Sequence, residues 1–318
     1  MIGRRAGILG SLLAGVASAQ DARRPEVVVL TPSQQQFDID AFRDELRALG
    51  RVDGVSIALE LWSADGDLSR LPALASDAAA RRVAVIVAVN TPGSAAAIAA
   101  TRSVPIVMVA VGDPVGLGFV ASLARPGGNV TGISNLSVEL STKRLQLLHE
   151  AVPAAKRIAV VFNPDDPIHA GQRDAVEQAA RALGIATEAV PIRLPDEAEP
   201  ALTQAARRGA GAFIQLAGQA FTATPAIAAA ALRLKLPAML TNRRSMVIGG
   251  LLSYWSDDRD EPRRVAGYVD RILRGDPPGD LPVDLPTRFV FVVNMRTAAA
   301  IGATIPAGVL ARADEVIE

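Results

Sequence analysis

The chain has 318 residues, 50% of them hydrophobic and 21% charged, a composition that excludes a disordered chain and leaves room for two lobes of ordinary domain size. Lys+Arg 33 balance Asp+Glu 33, so there is no basic footprint for nucleic acid and none is expected as a partner. The absence of cysteine excludes a disulfide framework, a thiol nucleophile and a cysteine-ligated metal.

The first nineteen residues read as a separate unit. Arg4 and Arg5 form a basic start, Ala6 to Val16 a short apolar run, and Ala17-Ser18-Ala19 a small-residue cleavage site. That three-part pattern is a secretory signal, too short to span a bilayer as a helix. Residues 1–19 are therefore expected to be removed after Ala19, with export to a periplasm. Val16 stands where a lipoprotein would carry its lipidated Cys, and no later apolar run reaches spanning length. The exported protein is expected to be free rather than membrane-anchored.

The mature chain alternates strand and helix. Val27 to Leu30 is a first strand, and Ile39, Phe42, Leu46 and Leu49 recur at helical spacing up to Gly50. Val55 to Leu61 alternates as a second strand, with a helix from about Asp67. Val83 to Val89 is a third, turned by Asn90 to Ser94 into an alanine-rich helix. Ile106 to Val111 suits a strand buried on both faces, as parallel sheets require. Asp113 then caps an expected helix with Pro114 at its first position, broken by Arg125 to Asn129. Val130 to Ser134 makes a further short strand.

A second series follows: strands at Ile158 to Phe162, Ile185 to Val190, Ala210 to Leu216, Pro237 to Leu240 and Gly249 to Tyr254. Helices are expected up to Leu183, from Pro195, and over Thr222 to Leu234. Glu261 to Leu273 is a later helix, Phe289 to Val293 a last strand, and Thr297 to Ile301 a last helix. Such alternation implies parallel α/β sheets with right-handed crossovers.

Catalytic chemistry is missing from the pattern. Neither a G-x-G-x-x-G, a P-loop nor a G-x-S-x-G elbow occurs, and His149 and His169 have no partner at helical metal-ligand spacing. No catalytic residue, metal or cofactor is assigned, and an enzyme is not expected. What remains are small polar residues at strand ends, where open α/β sheets bind ligands. Thr91 and Ser94 begin a helix and offer hydroxyls beside free N–H groups to a carboxylate, although Thr91 also suits simple capping. Asp113 caps or meets a ligand amine, and Asn135 turns the chain or touches ligand. Either Tyr254 or Trp255 stacks on a ligand, or both pack in the core. Asn163 and Gln215 end strands in the second series, across the expected cleft.

Several runs together resemble the ABC-transporter substrate-binding family whose characterised members include tryptophan- and tyrosine-binding proteins. They are Ile106 to Gly116 (IVMVAVGDPVG), Ser122 to Gly132, Arg157 to Pro164, Gly249 to Tyr254, Tyr268 to Gly275 and Leu310 to Glu318. The resemblance spans the mature chain and keeps motif order. It implies a type I periplasmic-binding fold, two doubly wound parallel-sheet α/β lobes joined by three crossover strands. One lobe would hold about residues 24–134 plus about 256–283, the other about 136–255 plus about 284–318. By the same resemblance the cleft would use the Thr91 helix start, Asp113, the Asn135 region, Asn163 and the loop after Tyr254. Asn90-Thr91-Pro92 replaces a common Gly-Thr-Pro, and Trp255-Ser256-Asp257 a common Gly-Pro-Asp. Both changes add bulk near the cleft, so ligand identity does not carry over.

The expectation is a monomeric periplasmic receptor that captures a small organic, amino-acid-like or carboxylate ligand and delivers it to an ABC permease and ATPase complex. The alternative is a periplasmic sensing module that passes its ligand state to a signalling receptor. A repressor effector domain would need a helix-turn-helix where this chain has an export signal.

Overall fold

The strand ends are what the fold arranges, in a computed structural model that describes residues 24–218, 223–257 and 259–318. The export signal expected over residues 1–19 lies outside the described residues, as do Thr222 and Asp258. The first half builds β1 (Glu26–Thr31), α1 (Ile39–Ala48), β2 (Ala58–Ser63), α2 (Leu71–Arg81), β3 (Val85–Val89), α3 (Asn90–Ala100), β4 (Ile106–Val111) and β5 (Val130–Ser134). These strands form one parallel sheet in the order β2-β1-β3-β4-β5. Every residue of β3 and β4 is buried, because apolar clusters cover both faces of the sheet.

Two sequence expectations fail here. The second strand starts at Ala58, not Val55: residues 52–57 close a tight turn through Val55 N–H to Val52 O, and Val55 is 71% exposed. No helix follows Asp113. Its Oδ1 accepts the Gly116 N–H at 2.7 Å, which closes a turn, and Gly118 then takes φ +69°. Glycines at both positions make a helix too costly for a cap and a proline to nucleate it.

The second half builds α4 (Ser137–Ala151), β6 (Arg157–Phe162), α5 (Ile168–Ala182), β7 (Ala186–Pro191), α6 (Ala198–Arg207), β8 (Ala212–Gln215), α7 (Thr224–Arg233), β9 (Ala238–Leu240), α8 (Arg243–Ile248) and β10 (Leu252–Ser256). After α9 (Glu261–Leu273) come β11 (Phe289–Asn294), α10 (Met295–Ile301), α11 (Ala307–Leu310) and β12 (Glu315–Ile317). The second sheet runs β12-β11-β10-β9-β8-β6-β7, with β10 and β11 antiparallel and all other pairs parallel. Two further apolar clusters cover its faces.

The chain passes between the sheets three times. Residues 135–136 lead from β5 into α4, and the chain returns to the first sheet between β10 and α9. That helix packs on the first sheet through Val265, Ala266, Val269 and Ile272, and buried Asp270 pairs with Arg51 at 2.9 Å and Arg274 at 2.7 Å. Asp284 then lies along β5, accepting from Ser134 N–H and donating its own N–H to Gly132 O, before β11 rejoins the second sheet. Two α/β lobes joined by crossover strands result.

One strand carries strain. Ala110 has φ +55° inside β4, where the register against β5 shifts between Met108 and Val111. Opposite it, Gly132 takes φ +135°, and a Cβ there would lie 2.0 Å from Met108 O. A bulge of this kind redirects the strand end. Left-handed backbone is unfavourable for alanine, so Ala110→Gly is expected to stabilise the protein by about 0.5–1 kcal/mol, after allowing for the looser unfolded chain. Chemical denaturation of the purified variant checks this.

Candidate ligand-binding site

The C-terminal ends of the strands of both sheets face one cavity of about 670 Å³. Its first wall comes from the ends of β1, β3 and β4, with Gln36, Asn90, Thr91 and Gly112. Asn135, Ser137 and Arg144 line it from the first crossing and α4. The second wall comes from Asp166 after β6, Gly218 after β8, Thr224 at the start of α7, the segment 241–245, and Trp255 with Ser256.

The lobes meet at the back of this cavity. A Cβ on Gly112 would lie 2.2 Å from Ser137 Oγ and 2.7 Å from Ile168 Cγ1. Only glycine lets the end of β4 come so close to the start of α5.

Of the residues expected from the sequence, three line the cavity: Thr91, Asn135 and Trp255. Thr91 is not the helix cap. α3 begins at Asn90 with Val89 before it and no side-chain cap, and Thr91 Oγ1 bonds no described residue. Asn90 takes φ +61°, a conformation Asn tolerates where glycine would otherwise be needed. Its Nδ2 donates to Gln36 Oε1 at 2.8 Å, and its Oδ1 is buried without a partner. The bulk that replaces glycine thus becomes part of the wall.

Five expected residues stand off the cavity. Ser94 turns its hydroxyl back to Ala88 O at 3.1 Å. Asp113 is held by its own turn, as described. Asn163 Oδ1 accepts the Asp165 N–H, and its backbone meets the ring of buried His169. Gln215 sits one layer behind, its Nε2 donating to Thr224 Oγ1 at 2.7 Å, so that Thr224 reaches the cavity instead. Tyr254 stacks on Phe289 with ring centroids 5.9 Å apart and packs against an apolar cluster of the second sheet. Successive strand residues point to opposite faces, which is why Trp255 faces the cavity when Tyr254 does not.

Arg144 and Gln172 were not singled out in the sequence. Leu140, Arg144 and Leu148 lie four residues apart on the buried face of α4, so a charge inside an apolar stripe was the available signal. Arg144 is buried, and its Nε donates to Tyr254 O at 2.7 Å. Burial pulls its pKa down to about 10. Gln172 is fully buried on α5 and pairs with both backbone groups of Ala217, which sets the loop that carries Gly218.

Asp166 is buried on the second wall, and its Oδ1 accepts the Ile168 N–H at 3.2 Å. Burial pushes its carboxyl up, against smaller downward pulls from His169 and the Ile168 N–H. A carboxyl with a raised folded pKa binds more protons folded than unfolded, so stability falls as pH rises from the unfolded value into the raised range. Asp166→Asn keeps the Oδ1 acceptor and removes the charge. The variant is expected to lose that slope and to exceed the wild type in stability at neutral pH, with little difference in acid, read by denaturation at both.

Residues 27–317 match the family described as ABC transporter substrate binding protein. The chain is similar to the tyrosine-binding protein of Clostridioides difficile (strain R20291), 26% identical over 313 residues that cover 93% of this chain and 90% of that protein. It is also similar to a solved conserved domain protein from Vibrio cholerae O1 biovar El Tor, with 29% identity and a TM-score of 0.83 over 92% of this chain and 100% of that one. An ABC domain solved in complex with L-Trp from Streptococcus pneumonia gives 24% identity and a TM-score of 0.82, again over 92% of this chain and 100% of that one. With two lobes of the type I periplasmic-binding fold and a cavity at their facing strand ends, the chain belongs to the ABC transporter substrate binding protein family.

Proposed function

We propose that the protein is the periplasmic solute-binding component of an ABC importer, which holds a small organic ligand, amino-acid-like or carboxylate, between its two lobes. The observation that carries this reading is a cavity walled by strand ends from both sheets. A ligand there touches both lobes only when they are together, so it favours the closed arrangement, and a permease with its ATPase distinguishes closed from open. The lobes in this reading are about residues 24–134 plus 256–283 and about 136–255 plus 284–318. Within the site, Thr91, Asn135 and Trp255 meet the ligand, and Gln215 acts through Thr224. The L-Trp complex and the tyrosine-binding relative support an amino-acid-like ligand. Nothing in the mechanism requires a covalent step.

A thermal-shift screen of the mature protein against amino acids, aromatic acids and other small metabolites tests this directly, because a ligand well above its dissociation constant raises the melting temperature. A reproducible shift with no turnover of the compound is expected; turnover would make the protein an enzyme and overturn the reading. A second expected outcome concerns closure. Gly112→Ala drives a methyl group into Ser137 and Ile168, so it is expected to part the lobes, enlarge the radius of gyration in X-ray scattering, and weaken binding about tenfold by depleting the competent state. Adding Ser137→Ala and Ile168→Ala to Gly112→Ala is expected to restore most of both.

A further inference from the structure

A cation sits in the cavity wall with no anion beside it. Arg144 is 2% exposed, and of its guanidinium nitrogens only Nε bonds a described residue, the Tyr254 carbonyl. Nη1 is buried without a partner, and Arg144 forms no ion pair with a described carboxylate. A buried guanidinium is costly to leave unpaired, and it forms its strongest bonds with a carboxylate that it can grip at two points.

The rest of the lining tilts the same way. Arg244 reaches the cavity and pairs with no described residue. Arg243 beside it is matched by Glu315. Asp166 is the one acid among the described lining residues, and burial pushes its carboxyl up. Asp113, the acid that the sequence pattern offers to a ligand amine, is off the cavity with its carboxylate on Gly116. Of these groups, the buried and unpaired guanidinium of Arg144 is the one that a ligand carboxylate would complete.

We propose that Arg144 anchors the ligand's carboxylate. The inference rests on the receptor reading above and narrows it. Trp255 on the second wall admits an aromatic body, so matched aromatic probes are the suitable test.

Calorimetry with the mature protein compares indolepropionate and phloretate, which keep only the carboxylate, with L-tryptophan and L-tyrosine, which keep both groups, and with tryptamine and tyramine, which keep only the amine. The compounds that keep the carboxylate are expected to bind at least tenfold more tightly than the amines. Arg144→Gln is expected to weaken the acids at least tenfold while leaving the neutral indolepropionamide unchanged, and Arg144→Lys to recover part of the loss. Amines binding as tightly as the carboxylate compounds, or an Arg144→Gln variant of full acid affinity, would overturn the proposal. The wild-type panel decides whether the carboxylate is needed even where a variant fails to fold. If only the amines, or only compounds of the metabolite screen that lack a carboxylate, bind, the anchor falls and the receptor reading stands; if no compound here or in the metabolite screen binds, both fall.

Discussion

Parallel sheets bury both faces, and that constraint shapes everything else in this molecule. With apolar clusters above and below each sheet, the strands have no side left for polar chemistry except their carboxyl ends. Three passages of the chain hold those two ends opposite one another. The cavity is therefore a product of topology before it is a product of particular side chains. Side chains then decide its charge and its width, through Arg144 on one helix and the bare backbone of Gly112 at the rear.

Much of the fold was legible in the sequence because apolar runs of strand length and amphipathic helices leave strong periodic signals. The strand at Ile106 to Val111 and the helix at Glu261 to Leu273 were read with their observed limits. Single local residues mislead where the periodic patterns do not. Asp113 with Pro114 carries a helix-start signature, but a carboxylate that can close a turn on Gly116 does so in the absence of helix-forming residues downstream. Val55 is apolar and precedes a strand, yet it occupies an exposed turn. The short helix α8 and the terminal strand β12 were missed because six and three residues are too few to show a period.

The site was less legible than the fold, for a physical reason. Strand ends point to the cavity as a region, but which of two neighbours enters it depends on strand phase and on one layer of packing. Tyr254 and Trp255 differ only in phase. Gln215 and Thr224 differ only in depth, since the amide holds the hydroxyl that reaches the opening. Arg144 lay hidden because Lys143 beside it makes it read as one more solvated charge, and only its place between Leu140 and Leu148 gives it away.

The three separate passages between the lobes also determine how the molecule would respond to damage. Each lobe is assembled from stretches distant in sequence, so that α9 belongs to the first sheet's core although it follows ten strands. A protease that nicks one passage leaves two others tethering the halves, and every fragment still has a partner surface to stay on. Such a cut would loosen the swing of one lobe against the other without freeing either, giving a scarred but still assembled particle.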